Sequence, residues 1–475
     1  MMSKDFTFDA AKEKEMAKLS FREAPKIVTS EIPGPLGREM LEQELANETP
    51  TRIMPNALPS VWSAAKGATV KDPDGNCFID LTAGVAVNNV GHCHPRVVET
   101  IKRECALLMH NPDATNPNRV KLGQMLQEIA PGELKGNVKI AYGLSGSSAV
   151  EMACKFARAA TGKSYIMAFQ GAYHGALGLT LSLTTSPTFR SKYRPLAPFV
   201  YHVGPYAYCY RCPFRMEYPG CDLECAKYVE YQMLTPYSGI DIENTAALIV
   251  EPVQGEGGYV PPPDGFLPAI KAICEKAGIL YIDDEVQAGM GRTGRMFAIE
   301  HYGVTPDMIT LGKALGGNLA CSAVLARKDI VAALDPLSHV LTAAGNATTC
   351  AVACTNIELL QAGLVERAEK LGNYAMAVLK DMMREVEIIG DVRGKGLMIA
   401  VELVKNRTTK QPTRIDELIP ILWTLRDRGV LLLPCGRHDN VLRLMPPLVI
   451  TKKHLDKALE LLRDVLKQFQ GNILE

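Results

Sequence analysis

The stretch ILYIDDE, residues 279–285, is an apolar run that ends in three consecutive acidic side chains. Two runs of the same kind lie before and after it: ALIVEP (247–252) ends in Glu251 and its proline, and DMITLG (307–312) leads to Lys313. Short apolar runs bounded by turn residues are typical of strands buried on both faces of a parallel sheet. Ligands of such sheets bind beyond the carboxyl ends of the strands, so charged residues at three successive ends predict a ligand site there. For any one of them, an ordinary cap or turn residue is the simpler interpretation.

The strand patterns alternate with amphipathic helices. Helical patterns at 148–161 and 266–277 separate the apolar runs, and SYIMAFQ (164–170) is a further strand pattern. This alternation predicts an α/β fold, with a mainly parallel sheet that has helices on both faces.

A change of pattern along the chain indicates the domain organisation. Toward the C-terminus the helices become longer, with only two strand patterns between them, GLMIAVEL (396–403) and GVLLLP (429–434). We therefore expect an N-terminal arm and part of a small domain in 1–75, a large domain in 76–342, and a small α+β domain in 343–475.

The composition excludes several function classes. Lysine plus arginine and aspartate plus glutamate both number 52 in the 475 residues, so no charged surface for nucleic acid or membrane is indicated. The longest apolar runs are much shorter than the roughly 20 residues of a membrane helix. The N-terminal residues are acidic and lack an apolar signal core, and the thirteen cysteines lie mostly in apolar segments. These features predict a cytoplasmic protein with reduced thiols.

The segment YGLSGSSAVEMACKFARAATG (142–162) predicts a phosphate site. Ser148 followed by Glu151 has the spacing of a capping box, and an apolar face follows. Gly146 and Ser147 lie just before that predicted start and would offer N–H and hydroxyl groups to a phosphate. The segment matches neither a Walker loop nor a dinucleotide fingerprint, and a plain helix start is the alternative.

One cofactor requires all of these parts. Pyridoxal 5′-phosphate carries a phosphate, an aldehyde that reacts with a lysine amine, and a ring nitrogen that a carboxylate keeps protonated. Tyr173 and His174 add an aromatic face and an imidazole near the predicted sheet edge.

At this point the sequence resembles the class III aminotransferases, the 4-aminobutyrate and ornithine type, over most of residues 50–470. These are pyridoxal-phosphate enzymes of fold type I, which implies a seven-stranded sheet in the large domain and a small domain built from both termini. The matching segments, in order, are DLTAGVAVNNVGHCHP (80–95), SGSSAVEMACKFAR (145–158), GAYHG (171–175), EPVQGEGG (251–258), DDEVQAGMGRTG (283–294), LGKALGGN (311–318) and GDVRGKGLMIAVEL (390–403).

The resemblance implies the cofactor contacts Gly146, Ser147, Tyr173, His174, Asp284, Val286, Gln287, Lys313 and Thr342. Lys313 would be the Schiff-base lysine, and Asp284 would pair with the ring nitrogen; these two are the predicted catalytic residues. Gly146 and Ser147 would hold the phosphate.

Further roles follow from the same resemblance. Tyr173 and Val286 would pack on opposite faces of the ring, and Gln287 would lie near its 3′-oxygen. Thr342, in TAAGN (342–346), would reach the phosphate of the neighbouring subunit, which implies a homodimer with shared sites. The family usually has proline where this sequence has Ala347, so the conformation of that loop is left open.

The resemblance also implies the reaction. An amino acid, with an α- or ω-amine, would give its amino group to a keto acid, with 2-oxoglutarate the expected acceptor, by ping-pong chemistry. Arg393 would bind the acceptor's α-carboxylate, and Glu256 would neutralise Arg393 when a substrate lacks that carboxylate. A structural ion pair is the alternative for these two residues.

Two substitutions leave the reaction open. Ala176 follows GAYHG where the branch that acts on 4-aminobutyrate often has arginine. Related sequences include amino-acid racemases, which tend to carry aspartate at the position of Glu256. Glu256 therefore favours transamination, and a racemase or epimerase on the same scaffold is the second prediction. A non-enzymatic interaction protein on a degenerate scaffold is a third, and the intact Lys313, Asp284, Gln287 and Arg393 argue against it.

Two groups of possible metal ligands remain. Cys209, Cys212, Cys221 and Cys225 are spaced C-x2-C-x8-C-x3-C, which allows a zinc or iron–sulfur site, although a packed loop is the favoured interpretation. His92 and His94 are interpreted as turn and core residues. The prediction is no metal.

Overall fold

A computed structural model describes residues 6–51, 57–193 and 195–474. The chain divides into two compact units: Met1–Pro95 with Leu364–Glu475 form the first, and Arg96–Gly363 form the second. The two are described separately below as the first and the second unit.

The strands, in chain order, are β1 (Ala64–Lys66), β2 (Thr69–Lys71), β3 (Cys77–Asp80), β4 (Val138–Gly143), β5 (Tyr165–Gln170), β6 (Val200–Pro205), β7 (Thr245–Val250), β8 (Leu280–Asp284), β9 (Met308–Leu311), β10 (Ser322–Arg327), β11 (Ile389–Lys395), β12 (Met398–Asn406), β13 (Gln411–Pro412), β14 (Val430–Leu431), β15 (Leu433–Cys435) and β16 (Val441–Leu444).

The α-helices are α1 (Ala10–Lys18), α2 (Pro35–Asn47), α3 (Pro95–Leu107), α4 (Pro117–Ile129), α5 (Gly146–Thr161), α6 (Gly178–Leu183), α7 (Pro187–Arg190), α8 (Glu224–Leu234), α9 (Phe266–Lys276), α10 (Lys328–Ala332), α11 (Ala347–Leu359), α12 (Val365–Glu385), α13 (Ile415–Asp427) and α14 (Lys452–Ile473). Residues Ala83–Ala86 form one turn with left-handed dihedral angles. Short 3-10 turns lie at Gly132–Leu134, Cys209–Arg211, Ala298–Tyr302 and Lys313–Leu315, and a π turn at Leu360–Leu364.

The second unit contains a seven-stranded sheet in the order β4-β10-β9-β8-β7-β5-β6. Neighbours from β9 through β8, β7 and β5 to β6 are parallel, and β10 runs antiparallel to both β9 and β4. The predicted mainly parallel seven-stranded α/β sheet is therefore confirmed.

Helix α5 packs its apolar face on this sheet. Met152, Ala153 and Phe156 of α5 are buried in one cluster with Ile249 of β7 and Ile282 of β8. Burying a large apolar side chain contributes about 1.5–3 kcal/mol. This packing fixes the N-terminus of α5 relative to the carboxyl ends of the central strands.

The first unit combines both ends of the chain in an α+β arrangement. One sheet has the order β1-β2-β3-β14, in which β3 and β14 are parallel, and a second has the order β11-β12-β16-β15, with β13 paired to β12. Helix α12 packs on β11, and α13 packs on α14. The predicted small α+β domain built from both termini is confirmed.

The two units divide at positions different from the predicted boundaries at 76 and 343. Strand β3 pairs with β14, so the residues after 76 belong with the C-terminal strands. Helix α11 packs on α4, so the residues after 343 remain with the second unit until Gly363.

One stretch of the described chain, Ala347–Glu385, is helical over a length and with an apolar content that would allow it to cross a membrane. Within its most apolar window, 72% is buried inside the protein, which is the pattern of a core helix.

Candidate active site

The carboxyl ends of three adjacent parallel strands meet at one edge of the sheet in the second unit. Asp284 is the last residue of β8, Glu251 follows β7 directly, and Lys313 lies two residues beyond β9. The register pairs Asp284 with Thr310 of β9. The structure therefore brings together the three strand ends that the sequence singled out.

Asp284 has more hydrogen-bond partners than the other described acids at this edge. It is 4% exposed, and its Oδ1 accepts hydrogen bonds from the Thr310 hydroxyl and the Val286 amide, both at 3.1 Å. Its Oδ2 lies 2.7 Å from His174 Nδ1. A carboxylate offers about four lone-pair sites, so one site on Oδ2 can accept a further donor.

His174 has one partner for its two ring nitrogens. It is 3% exposed, with Nδ1 on Asp284, and its Nε2 is buried without a hydrogen-bond partner. A proton on Nδ1 makes the imidazole a donor to Asp284 and fixes its orientation. The His174 amide donates to the Thr184 hydroxyl at 3.0 Å, which fixes the backbone there.

Tyr173 is positioned by a buried acid. Its amide donates to Glu251 Oε1 at 3.0 Å, and its ring meets Phe189 edge-to-face, with centroids 5.0 Å apart. The other oxygen of Glu251 accepts the Gly255 amide at 2.8 Å. Burial raises the pKa of Glu251 to about 7, although the two amides act in the opposite direction.

The N-terminus of α5 lies at the same edge. The helix begins at Gly146 with Ser145 as its N-cap, and the Ser145 hydroxyl accepts the Ser148 amide at 3.2 Å. The predicted Ser148–Glu151 capping box is therefore wrong. Glu151 instead accepts the Thr180 amide. The helix begins earlier than predicted. Gly146 and Ser147 therefore lie in its first turn, where backbone amides have no intrahelical acceptor.

Two predicted cofactor residues, Gly146 and Val286, approach closely at a point between α5 and the strand ends. A Cβ on Gly146 would lie 2.6 Å from Val286 Cγ1, and a Cβ on Gly312 would lie 3.1 Å from Gly146 Cα. A side chain on Gly146 would push the helix and the strand end apart, and one on Gly312 would require the backbone at Gly146 to shift by a few tenths of an ångström.

Lys313 has an unusual backbone. Its φ is +39°, in the left-handed region that costs an L-residue roughly 1–2 kcal/mol. The Gly317 amide donates to its carbonyl at 2.9 Å and closes the turn. The side chain is half-buried. Strained residues held by their surroundings are concentrated at active sites.

Gln287 contributes a buried polar atom with no partner. Its Oε1 makes no hydrogen bond and lies against Gly255. A buried unpaired acceptor costs about 1–3 kcal/mol, so a donor from a ligand would be stabilising.

The two predicted substrate residues belong to different units. Glu256 is half-buried in the turn closed by the bridge between Gln254 and Val260 in the second unit. Arg393, on β11 of the first unit, donates from Nη1 to Asp391 at 2.7 Å and to Glu402 at 2.6 Å.

Thr342 is exposed on the second unit, ahead of α11. Ala347 is the first residue of that helix, which is a position that favours proline, so the substitution leaves the helix start intact. The Ala347 amide donates to Asn111 at 3.1 Å, a bond that proline could not make.

The possible metal ligands are arranged as follows. Cys209, Cys212, Cys221 and Cys225 line one small cavity of ≈ 20 Å³, and burial raises the pKa of Cys225 to about 11. His92 pairs with Asp80 at 2.7 Å. Among the described residues, no three histidine, cysteine or acidic side chains are grouped to hold a metal ion. All thirteen cysteines lie in that part of the chain, and none forms a disulfide.

Two residues that contact the candidate site were not predicted from the sequence, Thr310 and Phe189. Thr310 is an interior strand residue, and only the pairing of β9 with β8 places its hydroxyl on Asp284. Phe189 lies in α7 and Tyr173 in the loop between β5 and α6, and no spacing in the sequence indicates their contact.

Comparisons with known proteins identify related sequences and structures. A family model described as aminotransferase class-III matches residues 54–466. The chain is similar to a leucine/methionine racemase of Thermococcus litoralis, with 40% identity over 430 residues that make up 88% of this chain and 94% of that protein. It is also similar to a 4-aminobutyrate aminotransferase of Mycobacterium leprae, with 35% identity over 454 residues, or 95% and 100% of the two chains.

A solved structure has the same fold. It is an amine transaminase from an uncultivated Pseudomonas species in its PLP-bound form, with a TM-score of 0.80 and 28% identity. The match covers 87% of this chain and 95% of that one.

Replacing Thr310 tests the support of Asp284. Thr310→Val keeps the shape of the side chain and removes one donor to the carboxylate. A hydrogen bond to a charged group contributes about 1.5–3 kcal/mol. We therefore expect pyridoxal phosphate retention to fall about tenfold or more when measured by dialysis and absorbance.

Thr245→Val is the matched control. Thr245 is the first residue of β7, at the opposite end of the strand from Glu251, and its hydroxyl donates to the backbone carbonyl of Asp241. Equal loss of cofactor from the two variants would contradict a specific role for Thr310.

Proposed function

Since the chain belongs to the class III aminotransferase family, we propose that it transfers an amino group from an amino acid to a keto acid, with 2-oxoglutarate as the acceptor, by ping-pong chemistry. The observation that carries this proposal is the placement of Lys313 and Asp284 at the ends of adjacent parallel strands, the first strained and the second held by three donors.

The enzymes of this family depend on pyridoxal phosphate. Four features of the second unit fit that group: the vacant lone-pair site on Asp284, the unpartnered Gln287 oxygen, the first-turn amides of α5, and the amine of Lys313. When bound, the cofactor withdraws electrons from the substrate's α-carbon through its protonated ring.

The protein residues divide the remaining work. Asp284 would hold the ring nitrogen's proton with its negative charge, and His174 orients that carboxylate from the other side. The Lys313 Nζ would take the proton from the substrate carbon and return it elsewhere, as a positioned general base and acid. Gly146 and Ser147 would bind the phosphate.

We propose a homodimer with shared sites. Thr342 is exposed on the second unit, and the family resemblance assigns its hydroxyl to the phosphate bound by the neighbouring subunit. Completion of a site by a partner requires a fixed twofold interface. We also propose a reducing compartment such as the cytoplasm, because all thirteen cysteines are outside disulfides.

Arg393 and Glu256 are proposed to discriminate between substrates. The Arg393 guanidinium is oriented by Asp391 and Glu402, and its planar shape suits a carboxylate. In this proposal Glu256 neutralises Arg393 when an ω-amine enters.

A second candidate function is amino-acid racemisation. Ala176 is a small exposed residue where an arginine would bind a distal carboxylate, and the racemase relative is 40% identical. Both reactions use the same lysine and acid, and they differ in the carbon to which the proton returns.

Trapping the cofactor tests the lysine assignment. Borohydride reduction followed by peptide mass mapping should place the phosphopyridoxyl group on Lys313. Lys313→Ala should lose both the adduct and the transferase activity. Lys328→Ala, which replaces an exposed lysine that binds the Gly136 carbonyl, should lose neither. An adduct on any other lysine would refute the assignment.

A screen in deuterated water separates the two reactions. Holoenzyme incubated with α-amino acids or ω-amines plus 2-oxoglutarate should form glutamate in step with the carbonyl product. If optical activity disappears without any keto acid and no glutamate forms, the protein is a racemase and the proposed transamination is wrong.

Replacing Arg393 tests the substrate pair. Arg393→Lys keeps a charge beside Glu402 and removes the planar fork, so the KM for 2-oxoglutarate should rise about tenfold or more. The KM for an ω-amine should change little. Equal changes in both constants would show that Arg393 is structural.

A further inference from the structure

The end of β8 carries two more acids, on either side of Asp284 in the sequence. Asp283 and Glu285 are 0% and 1% exposed. Successive side chains of a strand point to opposite faces, so Asp283 faces away from the side that Asp284 occupies. Neither acid has been used in the proposed function.

These two carboxyl groups have few hydrogen-bond donors. Both oxygens of Asp283 and the Oε2 of Glu285 are buried without a hydrogen-bond partner. Only Glu285 Oε1 has one, the Ile299 amide at 2.8 Å. Asp283 and Glu285 are two positions apart, on the same face of the extended chain, and a side-chain hydrogen bond between them contributes to the raised pKa of Asp283. Two carboxylate oxygens can bond only if one carries a proton.

The charged groups that act on Asp283 among the described residues are both acids, Glu285 and Asp284, so neither stabilises an ionised Asp283. Burial, followed by the charge of Glu285, raises the pKa of Asp283 well above its usual value. Burial raises the pKa of Glu285 to about 8, against the amides of Ile299 and Ala298.

The other titratable groups nearby are also acids. Tyr281 lies on β8 itself, Tyr206 follows β6, Tyr302 and Glu300 belong to the 3-10 turn, and Cys274 lies on α9. Burial raises the pKa of Tyr281 and Tyr206 as well, so these phenols do not supply negative charge at neutral pH.

We propose that Asp283 is a positioning residue that stays a protonated carboxylic acid at neutral pH and donates its O–H to Glu285. This bond connects β8 to the segment that presents the predicted cofactor contacts. Glu285 also donates its amide to the Thr310 carbonyl at 3.0 Å and accepts the Gly289 amide at 3.0 Å through its own carbonyl. The bond therefore stabilises the backbone conformation of the segment from Asp284 to Gln287.

The proton also protects the charge on Asp284. An ionised Asp283 would add a second negative charge one residue away, in a buried place where like charges repel strongly. The neutral acid keeps the charge on Asp284, where the proposed function needs it. The benefit to Asp284 rests on the proposed function, whereas the protonation of Asp283 does not depend on that function.

Counting protons tests the protonation directly. Asp283 would ionise when the chain unfolds, since an unfolded aspartate has an ordinary pKa. Unfolding wild-type holoenzyme at pH 7.5 in weak buffer should release at least about one more proton than unfolding Asp283→Asn. Asp329→Asn is the control, because Arg327 lowers the pKa of Asp329 and no proton is held there. It should release as many protons as the wild type.

The pH dependence of stability gives a second measurement. A carboxyl whose folded pKa is raised binds more protons folded than unfolded. Its stabilising contribution is therefore lost as pH rises from the unfolded pKa toward the folded one. The melting temperature of the wild type should fall between pH 5 and 8, and that of Asp283→Asn should fall less steeply.

The positioning role requires a pair of variants. The side-chain amide introduced by Asp283→Asn can still donate to Glu285, so this variant should retain the cofactor and kcat within about twofold. Asp283→Leu removes the donor, and cofactor retention should fall about ten- to a hundredfold.

Equal proton counts for wild type and Asp283→Asn would overturn the proposal and leave the lysine trapping result unaffected. Loss of cofactor in Asp283→Asn as severe as in Asp283→Leu would overturn the positioning role. If Asp283→Leu proved too unstable to purify, a large loss of cofactor from Asp283→Asn alone would still overturn that role.

Discussion

The parallel pairing of β8 with β9 is the constraint on which the site depends. It aligns Asp284 with Thr310, and the same register lets the Thr310 carbonyl accept the Glu285 amide at 3.0 Å. A shift of one residue would exchange the faces of the strand and turn Asp283 toward Thr310. Since Lys313 follows β9 by two residues, the backbone hydrogen bonds between β8 and β9 set the positions from which the acid and the lysine side chain extend.

The buried acids at this edge are satisfied in three different ways. Asp284 receives three donors, Glu251 receives two backbone amides, and the Asp283–Glu285 pair is proposed to use its own proton. The differences follow from desolvation, because a carboxylate leaves water only if donors or cations replace the solvent. A buried acid with several donors can remain ionised, and a buried acid without donors is protonated instead. One short segment can therefore present a single functional charge at a sheet edge that carries several acids.

The sequence predicted the strands and helices that have a periodic or apolar pattern. It did not predict features that depend on contacts between distant residues. Apolar runs and alternation located β7, β8 and β9, because burial on both faces leaves a pattern in composition. The antiparallel direction of β10 leaves no such pattern. The start of α5 was misplaced because Ser145 and Ser148 are both good caps, and only the backbone decides between them. The partner of Asp284, Thr310, is visible only once the register is known.

The backbone of Lys313 connects the fold to the chemistry. A left-handed lysine is less stable than an extended one, so its surroundings must hold it. The Leu315 and Gly317 amides close the turn around it, and Gly312 lets the chain pass directly beside Gly146. The approach of Gly312 to Gly146 places Lys313 beside the N-terminus of α5, close to the residues proposed to hold the phosphate and the ring.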